Sequence, residues 1–484
     1  MRPMKIPLLS SLAAALLLGA VGTAIAAPAP LKPCRVEGVP NELQCGSVRR
    51  ALDPARPDGP QIDVHYLVVP AMARNKRPDA VLFLAGGPGQ SAIDVAPKVL
   101  QRMNRLGNRR DLVFIDQRGT GQSAPLQCPD ERNLPVVDQL DPAAQMQRLL
   151  ACRDALQKLP YGDLRFFTTT LAMQDMDAVR EQLGVPQWNL IGASYGTRAA
   201  LEYLRQFPSK VRRTVIDGIA PPDMALPATM SPDAQAALDG LFEAYAKARP
   251  QLRTQWQALL ASLPRSVTVA HPISGKPERF TLDRRLLMSA VRGPLYAPAL
   301  AAALPEAIEL AVTQNRFEGL LGLAGALGGG KGMKLAAGMH FSVVCAEDLP
   351  RLDAATDRPG ADFGTDTQQL YREACKAWPR GSVPEGFYEV PPAPSPVLVL
   401  SGGADPVTPP RHGERVAARL AAQEKGRVQH IVVPEAGHGV TALPCMRDIV
   451  FRFIDAKQDP DALPQDAACA TRTPRPLDFK LPTP

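Results

Sequence analysis

The run Trp188-Asn189-Leu190-Ile191-Gly192-Ala193-Ser194-Tyr195-Gly196-Thr197-Arg198 decides how the rest of this 484-residue chain is read. Apolar residues lead into Gly-Ala-Ser-Tyr-Gly, and an amphipathic stretch over 197–207 follows. That pattern predicts a buried strand, a sharp turn at Ser194 and a helix. A Gly-x-Ser-x-Gly turn in this setting is a nucleophile elbow. It holds a serine in a strained conformation with its hydroxyl exposed, and the flanking glycines keep side chains out of the crowded backbone. Backbone N–H groups at the start of the next helix then face an incoming oxyanion. Ser194 is the candidate nucleophile.

Similar short apolar runs surround it. Residues 80–84 end in Ala85-Gly86-Gly87-Pro88-Gly89, and residues 111–115 end in Asp116-Gln117-Arg118-Gly119-Thr120-Gly121. Residues 211–216 end at Asp217-Gly218, and 396–400 at Ser401-Gly402-Gly403-Ala404-Asp405-Pro406. Residues 428–433 lead into Pro434-Glu435-Ala436-Gly437-His438-Gly439. Buried strands that each end in a Gly-rich turn predict a parallel sheet with its working loops at the strands' C-terminal ends. Helical patterns cover 141–159, closed by Pro160, and 171–183, with Thr168, Thr169 and Thr170 as N-cap candidates and Gly184 as the stop. A further helix is read from about residue 445 to 454.

The domain reading follows from changes in texture. Residues 1–26 form an export signal: Arg2 and Lys5 begin it, 6–21 are mostly apolar, and Ala24-Ile25-Ala26 is an A-x-A cleavage site. The apolar run is too short for a comfortable membrane span, so export to the periplasm or medium without stable membrane insertion is expected. Residues 27–221 are the first part of an α/β core, with 27–60 loop-like and 61–69 a strand. An Ala-, Leu- and Arg-rich insertion over 222–390 reads as mostly helical. The core resumes over 391–457, and 458–484 is an extended Pro-containing tail.

Composition bounds the function. Hydrophobic residues make up 45% of the chain, enough for a large core, and the net charge of +7 is spread without a Lys/Arg block. That is mild surface basicity, with no nucleic-acid footprint. Eight cysteines fit an oxidising compartment. Roughly a hundred connectivities are possible; neighbour pairing gives Cys34–Cys45, Cys128–Cys152, Cys345–Cys375 and Cys445–Cys469. No zinc-ligand spacing with histidine is present. The run from Gly325 to Lys331 has the spacing of a phosphate loop, but Gly332 stands where the metal-binding hydroxyl belongs and no strand precedes it. It reads as a loop.

An attacking serine needs a base, and the base needs an orienting acid. Of six histidines, only His438 lies in a Gly-flanked loop just after a buried strand. His65 and His430 sit inside strand patterns and His340 in the helical insertion; His271 and His412 follow or sit among polar loop residues. Asp405 occupies the matching place after the preceding strand. The chain order Ser194, Asp405, His438 is that of α/β-hydrolases. The oxyanion hole would use the N–H of Tyr195 and one from the Gly86-Gly87-Pro88-Gly89 loop, Gly87 before Gly86. This chemistry calls for no cofactor and no metal.

Together, Gly86-Gly87-Pro88-Gly89, the Asp116–Gly121 loop, Gly192-Ala193-Ser194-Tyr195-Gly196, Asp405 and Glu435-Ala436-Gly437-His438-Gly439 resemble the prolyl and tripeptidyl aminopeptidase family of serine peptidases. The resemblance runs from about residue 60 to 455 and is weakest in the insertion. It implies an α/β-hydrolase fold: a mostly parallel sheet flanked by helices, with an inserted helical cap. It also implies peptide substrates cut from a free N-terminus, and a cap glutamate that binds the substrate ammonium. Glu347, in Val344-Cys345-Ala346-Glu347-Asp348, is the candidate, with an exposed acidic turn as the alternative. Ala85 departs from the histidine usual before Gly-Gly-Pro-Gly in prolyl aminopeptidases, which turns the reading toward the secreted tripeptidyl type. A carboxylesterase with the same triad and a non-catalytic binding protein are the rival readings. Oligomeric state is not legible.

Overall fold

The computed structural model describes residues 31–478 except 272, 327–333 and 424–426. The export signal at 1–26 and most of the Gly-rich run ending at Lys331 lie outside the described residues.

Nine strands form the central sheet. In chain order they are β1 (Lys32–Cys34), β2 (Leu43–Ala51), β3 (Gln61–Val69), β4 (Ala80–Leu84), β5 (Leu112–Ile115), β6 (Trp188–Ala193) and β7 (Val211–Asp217). After a two-stranded hairpin, β8 (Arg265–Ala270) and β9 (Pro277–Leu282), come β10 (Val397–Gly402) and β11 (Val428–Val433). The spatial order is β1-β2-β3-β5-β4-β6-β7-β10-β11. Every pair from β5 to β11 is parallel, and β1, β2 and β3 add antiparallel at one edge.

The parallel strands are apolar throughout because both faces are covered. Alternation splits each strand between two cores. Leu82, Leu84, Val113, Ile115 and Leu190 pack on one face with the helices Thr169–Gln182 and Tyr195–Gln206. Val81, Phe83, Phe114, Ile191 and Val215 pack on the other with Ala92–Met103 and Pro444–Asp455. Each large apolar side chain so buried stabilises the fold by roughly 1.5–3 kcal/mol. Thr168 is the N-cap of the first of these helices, accepting the Leu171 N–H, and Gly184 follows its end with φ of 65°.

One reading needs correction, and the mostly helical insertion gains one detail. Residues 27–60 are not all loop: β1 and β2 pair there, tied by Cys34–Cys45. Strand β2 is only partly buried and carries Arg49 and Arg50, so it lacks the apolar run that marks the inner strands. Its Gly46 lies against the Tyr66 ring, which leaves no room for a side chain. Between β7 and β10 the chain is helical apart from the β8–β9 hairpin. One face of that hairpin is exposed, so its apolar content is low. The four neighbouring cysteine pairs are all bonded, with Cα separations of 5.8, 5.6, 5.2 and 6.3 Å.

Candidate active site

Strand β6 is buried up to Gly192 and then turns outward at Ala193 and Ser194. Ser194 has φ 56° and ψ −126°, a conformation that costs a non-glycine residue on the order of 1–3 kcal/mol. Neighbouring bonds hold it there. Its N–H donates to the Asp217 carbonyl at 2.9 Å, and its own carbonyl accepts the Thr197 N–H at 2.9 Å and Oγ1 at 2.6 Å. The flanking glycines are required by space: a Cβ on Gly192 would overlap the Gly196 carbonyl, and one on Gly196 the Leu84 carbonyl. The helix can therefore seat directly on β4 and β6.

His438 follows β11 and Asp405 follows β10, which are parallel neighbours. His438 Nδ1 lies 2.8 Å from Asp405 Oδ2, which makes Nδ1 the donor to a carboxylate. Asp405 also accepts the Val407 and Thr408 N–H groups on Oδ1 and the Thr408 hydroxyl on Oδ2. Burial alone would raise the Asp405 carboxyl, but the His438 charge and these bonds outweigh it and hold the group low. Burial alone would lower His438, yet the Asp405 charge and hydrogen bond, with Asp217 behind them, raise it; Arg292 opposes.

Ser194 and His438 both adjoin the end of β7. Ser194 is bonded to the Asp217 carbonyl, and the next residue, Gly218, lies against His438: a Cβ there would sit 3.2 Å from Cε1. The cap closes the other side. The Tyr296 carbonyl accepts the His438 N–H at 2.9 Å, and its ring stands edge-on to the imidazole at 5.3 Å.

On the opposite flank, Gly86 lies within 3.2 Å of Ser194 Cβ, measured from the place its own Cβ would take. The Gly86 N–H already donates to Gln90 Oε1 at 3.1 Å. The Gly87 N–H has no acceptor among the described residues, and Gly87 has φ of 113°. The Tyr195 N–H begins a helix and so has no intrahelical partner. His340 steadies this loop from the cap: Nδ1–H donates to the Pro88 carbonyl at 3.1 Å and Nε2 accepts the Tyr371 hydroxyl at 2.7 Å. Its burial keeps the imidazole neutral.

A strained serine turn, a histidine on a buried aspartate and the strand order that presents them now stand beside one further finding. The model of the alpha/beta hydrolase fold family matches residues 79–441. The chain belongs to the α/β-hydrolase fold family. Curated relatives include a tripeptidyl aminopeptidase of Streptomyces lividans, 31% identical over 199 residues, which are 38% of this chain and 36% of that enzyme. The aligned part thus spans about a third of that relative's length. The serine protease Hip1 of Mycobacterium tuberculosis is 26% identical over 446 residues, 81% of this chain and 83% of that protein. Carboxylesterase B of Mycobacterium tuberculosis is 29% identical over 420 residues, 78% of each chain.

One sequence-predicted residue does not join the site of this α/β hydrolase. Glu347 ends the helix Ala337–Glu347 with 0% exposure. Its oxygens accept the Thr169 N–H at 2.7 Å and Oγ1 at 2.9 Å, and Arg198 lies 3.7 Å away. Burial raises its carboxyl to about 7, against the pull of Arg198. A substrate ammonium has no surface of Glu347 to reach, so the ammonium-binding role read for it is withdrawn. Glu347 instead lies behind Tyr195, whose hydroxyl is 2.5 Å from Thr169 Oγ1 and accepts Gln117 Nε2 at 2.9 Å.

Sequence reasoning also missed three residues. Asp217 accepts the Val440 N–H at 3.0 Å, the Thr441 N–H at 2.8 Å and the Thr441 hydroxyl at 2.6 Å, all just after His438. Its place at the end of a buried strand, beside a glycine, was a usable signal, close to the one that marks Asp405 a few residues past the end of β10. Thr408 was findable as a hydroxyl three residues after that aspartate. Tyr296 had no local signal. Among the described residues, no group of three His, Cys, Asp or Glu side chains is placed to hold a metal ion.

Proposed function

We propose that the protein is an exported serine peptidase that removes residues or short peptides from the free N-terminus of peptide substrates. Ser194 Oγ attacks the scissile carbonyl. His438 takes the hydroxyl proton at Nε2 and returns it to the leaving amine, forming an acyl-enzyme that water then hydrolyses. Asp405 fixes the His438 tautomer and stabilises its charged form. The N–H groups of Gly87 and Tyr195 receive the oxyanion.

The observation that carries the hydrolase chemistry is the His438–Asp405 pair at 2.8 Å beside the strained Ser194 turn. Peptide specificity is supported by relatives named tripeptidyl aminopeptidase and serine protease. It is also supported by a cap whose Tyr296 holds the His438 loop and whose His340 holds the Gly86–Gly89 loop. Export is supported by four disulfides.

Esterase action is the second reading, favoured by the relative named carboxylesterase B. A panel of chromogenic Pro-, Ala- and Ala-Ala-Pro-type amides, their N-acetylated twins and a short acyl ester separates the two, with Ser194→Ala as control. Cleavage of free-amine amides but not of the acetylated twins is expected. Turnover of the ester alone would keep the triad and reject the peptidase.

A further inference from the structure

We infer that Arg292 is a carboxylate-binding residue on the leaving-group side of the site, selecting peptides whose departing fragment carries a free carboxylate. The inference rests on the peptidase reading above.

The first observation is an uncompensated cation. Nε and Nη2 of Arg292 are buried and have no hydrogen-bond partner, and Arg292 has no ion pair among the described residues. Other buried arginines each have a carboxylate: Arg110 has Asp79, Arg118 Asp175, Arg180 Asp177 and Arg198 Asp348, and Arg213, whose Nε and Nη2 are also without a partner, pairs with Asp459 through Nη1. The Arg292 side chain as a whole is half-buried and so can be reached; buried N–H groups without an acceptor are costly, and a planar fork of donors fits a carboxylate better than any other group. Tyr296, 5.9 Å from the Arg292 Cζ to the ring centroid, offers only its π face and leaves the N–H groups unmet.

The second observation is position. Arg292 lies in the last turn of the helix Arg284–Leu295, one turn before Tyr296. Tyr296 is locked to the histidine loop by the His438 N–H bond and by the edge-on ring contact. A Cβ on Gly437 would overlap the Tyr296 carbonyl, so this junction has no slack. Arg292 therefore holds a fixed place relative to His438. The Arg292 Cζ lies 5.9 Å from the Tyr296 ring, which is itself 5.3 Å from the imidazole, and its charge is felt at His438, Tyr296 and Tyr371, so it lies near all three. His438 must protonate the leaving amine, so the leaving fragment lies against that imidazole. A carboxylate on the fragment falls to Arg292.

The carboxylate has two sources: the C-terminus of a one-residue leaving group, or an acidic side chain. The test uses the best acyl portion from the chromogenic panel, joined to alanine as the free acid, to alaninamide, or to glutamic acid α-amide. Wild-type kcat/KM is expected to be about tenfold higher for a carboxylate-bearing leaving group than for alaninamide. Preference for the alanine acid names the C-terminus, and preference for the glutamyl amide names the side chain. Arg292→Gln should bring the ratio to near one, and Arg292→Lys should keep part of it. Fluorophosphonate labelling of Ser194 reports that each variant is folded.

Equal cleavage of all three substrates by the wild type would overturn the inference, with no variant needed. So would an unchanged ratio in a labelling-competent Arg292→Gln. If N-acetylated substrates are cleaved as well as free amines, the N-terminal reading falls, while the acid-to-amide ratio still decides the role of Arg292.

Discussion

Asp217 joins Ser194 to the chain just beyond His438: its carbonyl accepts the Ser194 N–H at 2.9 Å, and its carboxylate takes three bonds from Val440 and Thr441. One residue thus sets the nucleophile turn with its backbone and the histidine loop with its side chain. Asp405 holds the imidazole; Asp217 holds the loop that carries it. Asp217→Asn replaces one of the two accepting oxygens with an NH2 that faces N–H or O–H donors. The loss is about 1–3 kcal/mol of stability. The rate of Ser194 labelling by a fluorophosphonate should fall at least several-fold, with kcat falling in step and KM little changed. A variant that lost stability but kept its labelling rate would reduce Asp217 to a purely structural role.

The strained Ser194 turn predicts a trade between stability and function. Glycine adopts positive φ without the steric penalty that serine carries. Ser194→Gly should therefore be at least as stable as the wild type, by up to about 1 kcal/mol. Ser194→Ala keeps the strain and should melt close to the wild type. Neither should turn over substrate. Thermal unfolding of the three proteins side by side checks this, and a less stable Ser194→Gly would show that the turn is not strained as described.

The His438–Asp405 pair fixes the sign of the pH response. His438 is raised above its ordinary value of 6.5 in the folded protein. Stability from such a group is complete below the unfolded value and is lost as pH rises through the folded one. The neutral base that attack requires appears over the same rise, so kcat/KM should climb along a limb centred above 6.5. Asp405 is lowered, so its contribution is present above the unfolded value and is lost as pH falls through the folded one. In Asp405→Asn, burial is opposed only by the more distant Asp217 charge. The limb should move to lower pH and kcat should drop by roughly 10³–10⁴-fold. An unmoved limb in that variant would mean that another group governs the rise.

How much of this was legible in the sequence depends on which residues announce themselves locally. Ser194, Asp405 and His438 each follow an apolar run and sit among glycines, so strand ends and turn chemistry find them without any distance. Asp217 carries the same signature, yet only the β7–β10 pairing brings it under the histidine loop. Arg292 sits in a helix rich in arginine, and nothing but its buried, unpartnered Nε and Nη2 sets it apart. Strand β2 escaped notice because a part-buried strand bearing charges lacks a continuous apolar pattern. Glu347 shows the opposite error. An acid beside Cys345 was visible, but the direction in which a helix end faces is decided by what packs on it.

That direction makes a prediction of its own. Glu347 has its carboxyl raised to about 7, burial being the main cause. The proton is then held more tightly in the folded state than in the unfolded one. By linkage, stability from this group is complete below the ordinary value of 4.5 and is lost as pH climbs from there to about 7. Glu347→Gln removes the titration and leaves Arg198 with its bidentate partner Asp348 at 2.9 and 3.0 Å. Urea unfolding across that pH interval should show a downward slope for the wild type that is shallower in the variant. The variant should also still prefer free-amine substrates to their acetylated twins. Loss of that preference with the fold intact would return Glu347 to the ammonium-binding role and require the helix end to open toward the substrate.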